Sequence, residues 1–353
     1  MLHQEEGHLG SPWAPPRGGG RVDRLVVRSE VLEDNPLGDP PVRPRWVYVP
    51  EGVRAGPGSV PAVYVAQGFG GQLDMWANRP AFGPTVLERL DALFADSAVP
   101  RALVVLVDGW TRLGGSQFLN STGTGRYLDY LCDEVVPFVE RHYPTLAGAA
   151  HRGIAGKSSG GYTAMVAPML RPDVFGALAS HAGDALFEVC CLPKFPLIAR
   201  TLRDHFDGSL EVFLDRLAND GDVLEQSLVA TTREFYAYAA CYTPDPTRPG
   251  VGQLPFDVAT GRLIEPLWQR WLESDPVRMI ERHRNALAGL RLIHLDAGAS
   301  DEHYLDLGAT AVSAELTRHG IAHRLELFSG THAGIEHRYP KAIGALAAAL
   351  AMP

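Results

Sequence analysis

The chain has 353 residues, a formal net charge of −9 and 46% hydrophobic residues, with 37 glycines and 27 prolines. That apolar content can bury the core of one large α/β domain or two small ones, and the acidic balance, with no basic run, argues against a nucleic-acid partner. No apolar stretch reaches the roughly 18 residues needed to span a bilayer. Cys132, Cys190, Cys191 and Cys241 form neither a C-x-x-C pair nor a zinc-like cluster, so reduced, inert thiols and no bound metal are expected.

In chain order, residues 1–20 are rich in Gly and Pro, ending in Pro15-Pro16-Arg17-Gly18-Gly19-Gly20, and hold too little apolar surface to offset the entropy of ordering. They read as a disordered tail ahead of a domain over residues 21–353. Met1 to Glu6 lacks the positive start and apolar core of a secretion signal, which points to a cytoplasmic location. Strand-like runs follow at Leu25 to Val27, Trp46 to Val49, Ala62 to Ala66, Ala102 to Val107 and Gly153 to Ala155, then at Ala177 to Ser180, Leu290 to Leu295 and Arg324 to Phe328.

Helical patterns at Val86 to Phe94, Tyr127 to Arg141, Gly160 to Leu170, Ala309 to Arg318 and Ala342 to Leu350 alternate with the later strands. Alternation predicts a mostly parallel sheet with helices on both faces, and the first two strands, with no helix between them, predict an antiparallel edge. Residues 185–285 break the pattern with helical segments at Leu210 to Leu217 and Val223 to Ala239. They read as a helical insertion able to roof a site, in which Trp268, Trp271 and Phe235 are expected as core.

The most informative segment is Gly156-Lys157-Ser158-Ser159-Gly160. A G-x-S-x-G pattern between a strand and a helix places the serine in a tight, strained turn that needs small neighbours, making Ser158 the candidate nucleophile. Gly156-Lys157-Ser158 also resembles the end of a phosphate-binding loop. That loop requires glycine at position 151, where this chain has His151.

A serine hydroxyl needs a base and a group that fixes the base's tautomer, in the chain order serine, acid, histidine for this kind of turn. His332, in the small-residue loop Ser329 to Gly334 directly after a strand, is the expected base, whereas His337 reads as an exposed helix-start residue. His319 and His323 straddle a helix end and do not form a metal-binding face. Asp301 is the expected acid, because Gly298-Ala299-Ser300 can turn its carboxylate back toward the imidazole. Asp296 is expected to brace that loop, with Asp184 a fallback acid and Glu302 a lesser one.

Developing negative charge on the substrate requires aimed N–H donors. Ser159 supplies one, and the loop Gln67-Gly68-Phe69-Gly70-Gly71 the other, with Phe69 first choice and Gly70 next. Trp110, Tyr162 and Trp76 are expected to line the pocket, each being equally compatible with plain packing.

These motifs, together with Val107-Asp108-Gly109-Trp110, Asp296-Ala297-Gly298-Ala299-Ser300-Asp301 and Gly330-Thr331-His332, resemble those of the esterase D branch of the α/β-hydrolases. That branch includes S-formylglutathione hydrolase, enterochelin-type siderophore esterases, feruloyl esterases and mycolyltransferases. The resemblance covers most of residues 21–350 and implies an α/β-hydrolase fold with a triad of Ser158, Asp301 and His332. Two departures fall on the pocket: Gln67 stands where the family usually has histidine, and Ala333-Gly334-Ile335 follows the histidine where tryptophan is frequent.

The function implied is hydrolysis of a small-molecule carboxylic ester through an acyl-enzyme, without metal or organic cofactor. Acyl transfer to a sugar or other alcohol would use the same triad, and a non-catalytic binding protein would be expected to have lost one of its members.

Overall fold

The computed structural model describes residues 19–53, 58–219 and 226–351. Of the expected tail over residues 1–20, residues 1–18 lie outside the described residues, as does the start of the expected helix at Val223 to Glu225, while the Gly20 N–H donates to Asp91 Oδ1 at 2.9 Å. The strands are β1 (Arg21–Arg28), β2 (Val42–Val49), β3 (Ala62–Ala66), β4 (Leu103–Val107), a small ribbon of β5 (Asn120–Ser121) and β6 (Gly125–Arg126), then β7 (Arg152–Lys157), β8 (Ala177–His181), β9 (Leu292–Gly298) and β10 (Arg324–Phe328).

All but β5 and β6 join one eight-stranded sheet in the order β1-β2-β4-β3-β7-β8-β9-β10. β2 runs antiparallel to both β1 and β4, and every other pairing is parallel. The antiparallel edge therefore falls at the first two strands, where a helix-free connection requires it.

Alternating side chains on the central strands feed two cores. Val104 and Leu106 pack on one face with Leu90 and Phe94 of the Val86–Ala95 helix and Ile343 and Leu346 of the Tyr339–Leu350 helix. Leu103, Val105 and Val107 pack on the other with Met165 and Val166 of the Ser159–Leu170 helix. Burial on both faces explains why the central strands read as continuous apolar runs. The helix expected over Tyr127 to Arg141 is broken by a π-helical stretch at Tyr130–Val135 and ends at His142.

Between β8 and β9 the chain forms the Phe195–His205, Leu210–Asn219, Gln226–Tyr242 and Glu265–Glu273 helices, among shorter ones. Trp271 and Trp268 meet Phe195 edge-to-face, with ring centroids 5.7 and 5.5 Å away, and both tryptophans are buried core. Asp275 accepts the N–H groups of Leu186 (3.1 Å), Phe187 (2.7 Å) and Val277 (2.9 Å), tying the start of this segment to its end. No helix among the described residues is long and apolar enough to cross a membrane.

Candidate active site

Ser158 sits between β7 and the Ser159–Leu170 helix with φ 56° and ψ −124°. A non-glycine residue in that region carries about 1–3 kcal/mol of strain, which the surrounding packing must hold in place. The flanking glycines are what permit it. A Cβ on Gly156 would lie 2.2 Å from the Gly160 carbonyl oxygen, and one on Gly160 would lie 2.2 Å from that of Ala66. Two further contacts pin the turn: the Ser158 N–H donates to the carbonyls of His181 (3.0 Å) and Ala182 (3.1 Å).

The parallel pairing of β9 with β10 brings the loops that follow them together. Ala299 N–H donates to the Phe328 carbonyl at 2.8 Å and Ser300 N–H to that of Gly330 at 3.0 Å. Gly298 makes this approach possible, since a Cβ there would lie 2.5 Å from the Gly330 oxygen. His332 Nδ1 consequently lies 2.9 Å from Asp301 Oδ2, while Asp301 Oδ1 accepts the His303 N–H at 2.9 Å. Burial raises the Asp301 pKa, but the His332 hydrogen bond and charge and the two backbone donors outweigh it, so the carboxyl titrates below its ordinary value.

Asp296 and Glu302 are engaged by other partners. β9 continues through Asp296, which binds His181 Nδ1 at 2.6 Å and Arg338 Nε at 3.2 Å; its place is inside the sheet, not at the strand's end. Glu302 accepts the backbone N–H of His332 at 2.8 Å and so holds the loop instead of the ring. His337 is exposed and its Nδ1 contacts the Gly334 carbonyl at 3.1 Å.

Ser158 and His332 line one cavity of about 400 Å³, together with Gly68, Phe69, Trp76 and residues of the 185–285 segment. The Ser158 hydroxyl has no hydrogen-bond partner among the described residues. The N–H of Gly70 is taken by the Gly114 carbonyl at 2.9 Å, so Gly70 is corrected as a donor candidate. By contrast, the N–H groups of Phe69 and Ser159 have no acceptor among the described residues; for Ser159 this is the ordinary condition of a first helical residue.

Trp110 lines a separate narrow cleft beside Phe69 and Ser159. Tyr162 is fully buried, donates its hydroxyl to the Ser274 carbonyl at 3.1 Å and does not reach the cavity, a correction caused by the helix being apolar on all sides.

Three cavity residues escape a reading of the sequence: Asp184 as other than an acid, Glu234 and Tyr238. Asp184 is buried and accepts from Gln117 Nε2 (3.3 Å), Ser159 Oγ (3.3 Å) and the Tyr238 hydroxyl (3.0 Å). Burial raises its pKa against those donors. Glu234 is pushed up to about 7, first by burial and then by the neighbouring Asp184 charge. The one local signal is that Glu234 and Tyr238 stand four apart, on one face of a helix.

A mostly parallel sheet that holds a positive-φ serine at its carboxyl edge, followed by a helix and sharing a cavity with the histidine of a histidine–aspartate pair, has the α/β-hydrolase fold. Residues 44–339 match the family described as "Putative esterase", and the chain belongs to that family. It is 24% identical over 153 residues to the uncharacterized protein YbbA of Bacillus subtilis (strain 168), covering 40% of this chain and 57% of YbbA. It is also 28% identical over 134 residues to an endo-1,4-beta-xylanase/feruloyl esterase of Xylanibacter ruminicola, covering 37% of this chain and 18% of that protein. The chain thus spans little more than half the length of one curated relative and less than a fifth of the other. A solved ferulic acid esterase shares the fold, with a TM-score of 0.58 and 16% identity over 94% of this chain and 99% of its own.

Proposed function

We propose that the protein hydrolyses a small-molecule carboxylic ester by way of an acyl-enzyme. The observation that carries this reading is a single cavity holding both the strained Ser158 and the imidazole of His332, whose other nitrogen is tied to Asp301 at 2.9 Å. Ser158 Oγ attacks the acyl carbon while His332 Nε2 takes its proton. Asp301 fixes the proton on Nδ1 and stabilises the imidazolium that forms. The oxyanion is received by the N–H groups of Phe69 and Ser159, and His332 returns the proton to the departing alcohol. Water, activated by the same imidazole, then releases the acid.

The 185–285 segment acts as a cap, since Thr231, Glu234 and Phe235 form part of the cavity wall. Placement in the esterase D branch is supported by the motifs around Gln67, Ser158, Asp301 and His332. The test is hydrolysis of p-nitrophenyl acetate and butyrate by wild type and Ser158→Ala. The variant is expected to fold normally and lose activity to the uncatalysed background, and a Ser158→Ala protein that still turns over overturns the assignment.

A further inference from the structure

Tyr238 stands where the cap meets the nucleophile turn. It lies on the Gln226–Tyr242 helix, is 4% exposed, and touches the side chains of both residues whose N–H groups are assigned to the oxyanion. Its hydroxyl is 3.1 Å from Ser159 Oγ, and its ring meets the Phe69 ring edge-on with centroids 6.3 Å apart.

That hydroxyl is itself pinned. Asp184 Oδ2 lies 3.0 Å away and Glu234 Oε1 2.9 Å away, both able to accept. Ser159 Oγ can donate to Asp184 Oδ2 at 3.3 Å, so the tyrosine and serine protons are both satisfied whichever acceptor each takes. The closed arrangement adds a side-chain hold to peptides that the backbone ties only through their carbonyls, Ser158 C=O accepting from the Tyr162 N–H at 2.8 Å and Gly68 C=O from the Gly71 N–H at 3.0 Å. Ser159 is a first helical residue with no intrahelical acceptor, and Phe69 lies in a turn.

We propose that Tyr238 is a positioning residue through which the cap sets the oxyanion-binding N–H groups of Ser159 and Phe69. This rests on the ester-hydrolase reading above and adds to it that the cap takes part in turnover instead of merely covering the cavity. Donors aimed at the oxyanion, and not at the ground-state carbonyl, act on the transition state alone, so misplacing them lowers kcat and spares KM.

The experiment compares Tyr238→Phe, which keeps the ring contact and deletes the hydroxyl, with Tyr238→Leu, which loses both. With p-nitrophenyl butyrate, Tyr238→Phe is expected to lower kcat about tenfold and Tyr238→Leu about 100-fold, against the 100- to 1,000-fold typical of deleting a donor outright. KM should stay within about twofold, and affinity for a trifluoromethyl ketone, whose serine adduct carries the oxyanion, should fall in parallel with kcat.

Ser159→Ala cuts the same tie from the other side. It should match Tyr238→Phe, and the double variant should be no worse than either single one. Tyr236→Phe, which removes a buried hydroxyl of the same helix that faces the Gly252 N–H, should leave kcat unchanged.

Wild-type kcat and inhibitor affinity in Tyr238→Phe, or an equal loss in Tyr236→Phe, overturns the positioning role. Should Tyr238→Leu fail to fold, Ser159→Ala decides the question by the same readouts. An active Ser158→Ala protein overturns the underlying assignment instead, so the two failures are distinguishable.

Discussion

Asp301 and Asp296 stand five residues apart on and just beyond one strand, yet Asp301 meets His332 at 2.9 Å and Asp296 meets His181 at 2.6 Å, inside the sheet. The turn at Gly298 to Ser300 separates their directions. One carboxylate is delivered to His332 at the cavity wall and the other becomes part of the structural core.

For Asp301, the proposed mechanism predicts a catalytic consequence. Asp301→Asn keeps the shape but offers an amide that can stabilise the wrong imidazole tautomer. Turnover should fall by about 10,000-fold while thermal stability changes little. Steady-state kinetics beside a melting curve checks this, and kcat within tenfold of wild type would remove Asp301 from the triad.

For Asp296, stability should change and chemistry should not. Burial raises its pKa, but hydrogen bonds and charge from His181 and His294 win and hold the carboxyl well below its ordinary value. A depressed folded pKa contributes stability that is present above the unfolded value of about 3.9 and is lost as pH falls through the folded one. Asp296→Asn should therefore cost about 3 kcal/mol at pH 7, with the gap to wild type closing below about pH 4. Denaturant titrations across that range test the sign, and kcat of the folded variant should be near normal.

Glu234 works in the opposite direction. Its folded pKa of about 7 lies above the unfolded value of about 4.3, so the folded state holds the extra proton between them and stability falls as pH rises through that window. Glu234→Gln removes the titration and can still accept from Tyr238. The melting temperature of the variant relative to wild type should rise between pH 5 and pH 8, then level off. A difference independent of pH would show that Glu234 is already ionised at pH 5.

The nucleophile turn makes a steric prediction. Gly160→Ala would place a Cβ 2.2 Å from the Ala66 carbonyl oxygen, a backbone atom that cannot swing aside. A loss of about 3 kcal/mol or more, with little active protein recovered, is expected. Substitution of Gly261, whose would-be Cβ meets nothing within 4 Å, should cost only the strain of its positive φ of 71° and leave kcat intact.

The sheet was legible because its signals are local. β3 and β10 begin and end where the strand-like runs Ala62 to Ala66 and Arg324 to Phe328 do, and the parallel order follows from helices lying between strands. The apolar run Leu290 to Leu295 stops three residues short of the end of β9 because a carboxylate at Asp296 reads as a strand end, and only pairing with β8 and His181 extends the strand through that buried carboxylate. For Tyr162, which the sequence leaves between pocket wall and plain packing, the structure selects packing. Adjacency to the nucleophile says nothing about direction, and its position on the helix turns the ring into the core with Phe187 and Tyr242.

What the sequence determined by itself was Ser158 and its turn, because two glycines at fixed spacing relieve clashes between atoms only a few residues apart. It also marked His332 and Asp301, which follow their strands closely. What only the tertiary structure decided was which donors and walls surround them. The Gly70 N–H is spent on Gly114, and Tyr238 arrives from a helix some 80 residues beyond Ser159 to touch both Ser159 and Phe69. Such contacts depend on how distant elements pack, and side-chain packing between distant segments leaves no periodic or nearest-neighbour trace in the chain.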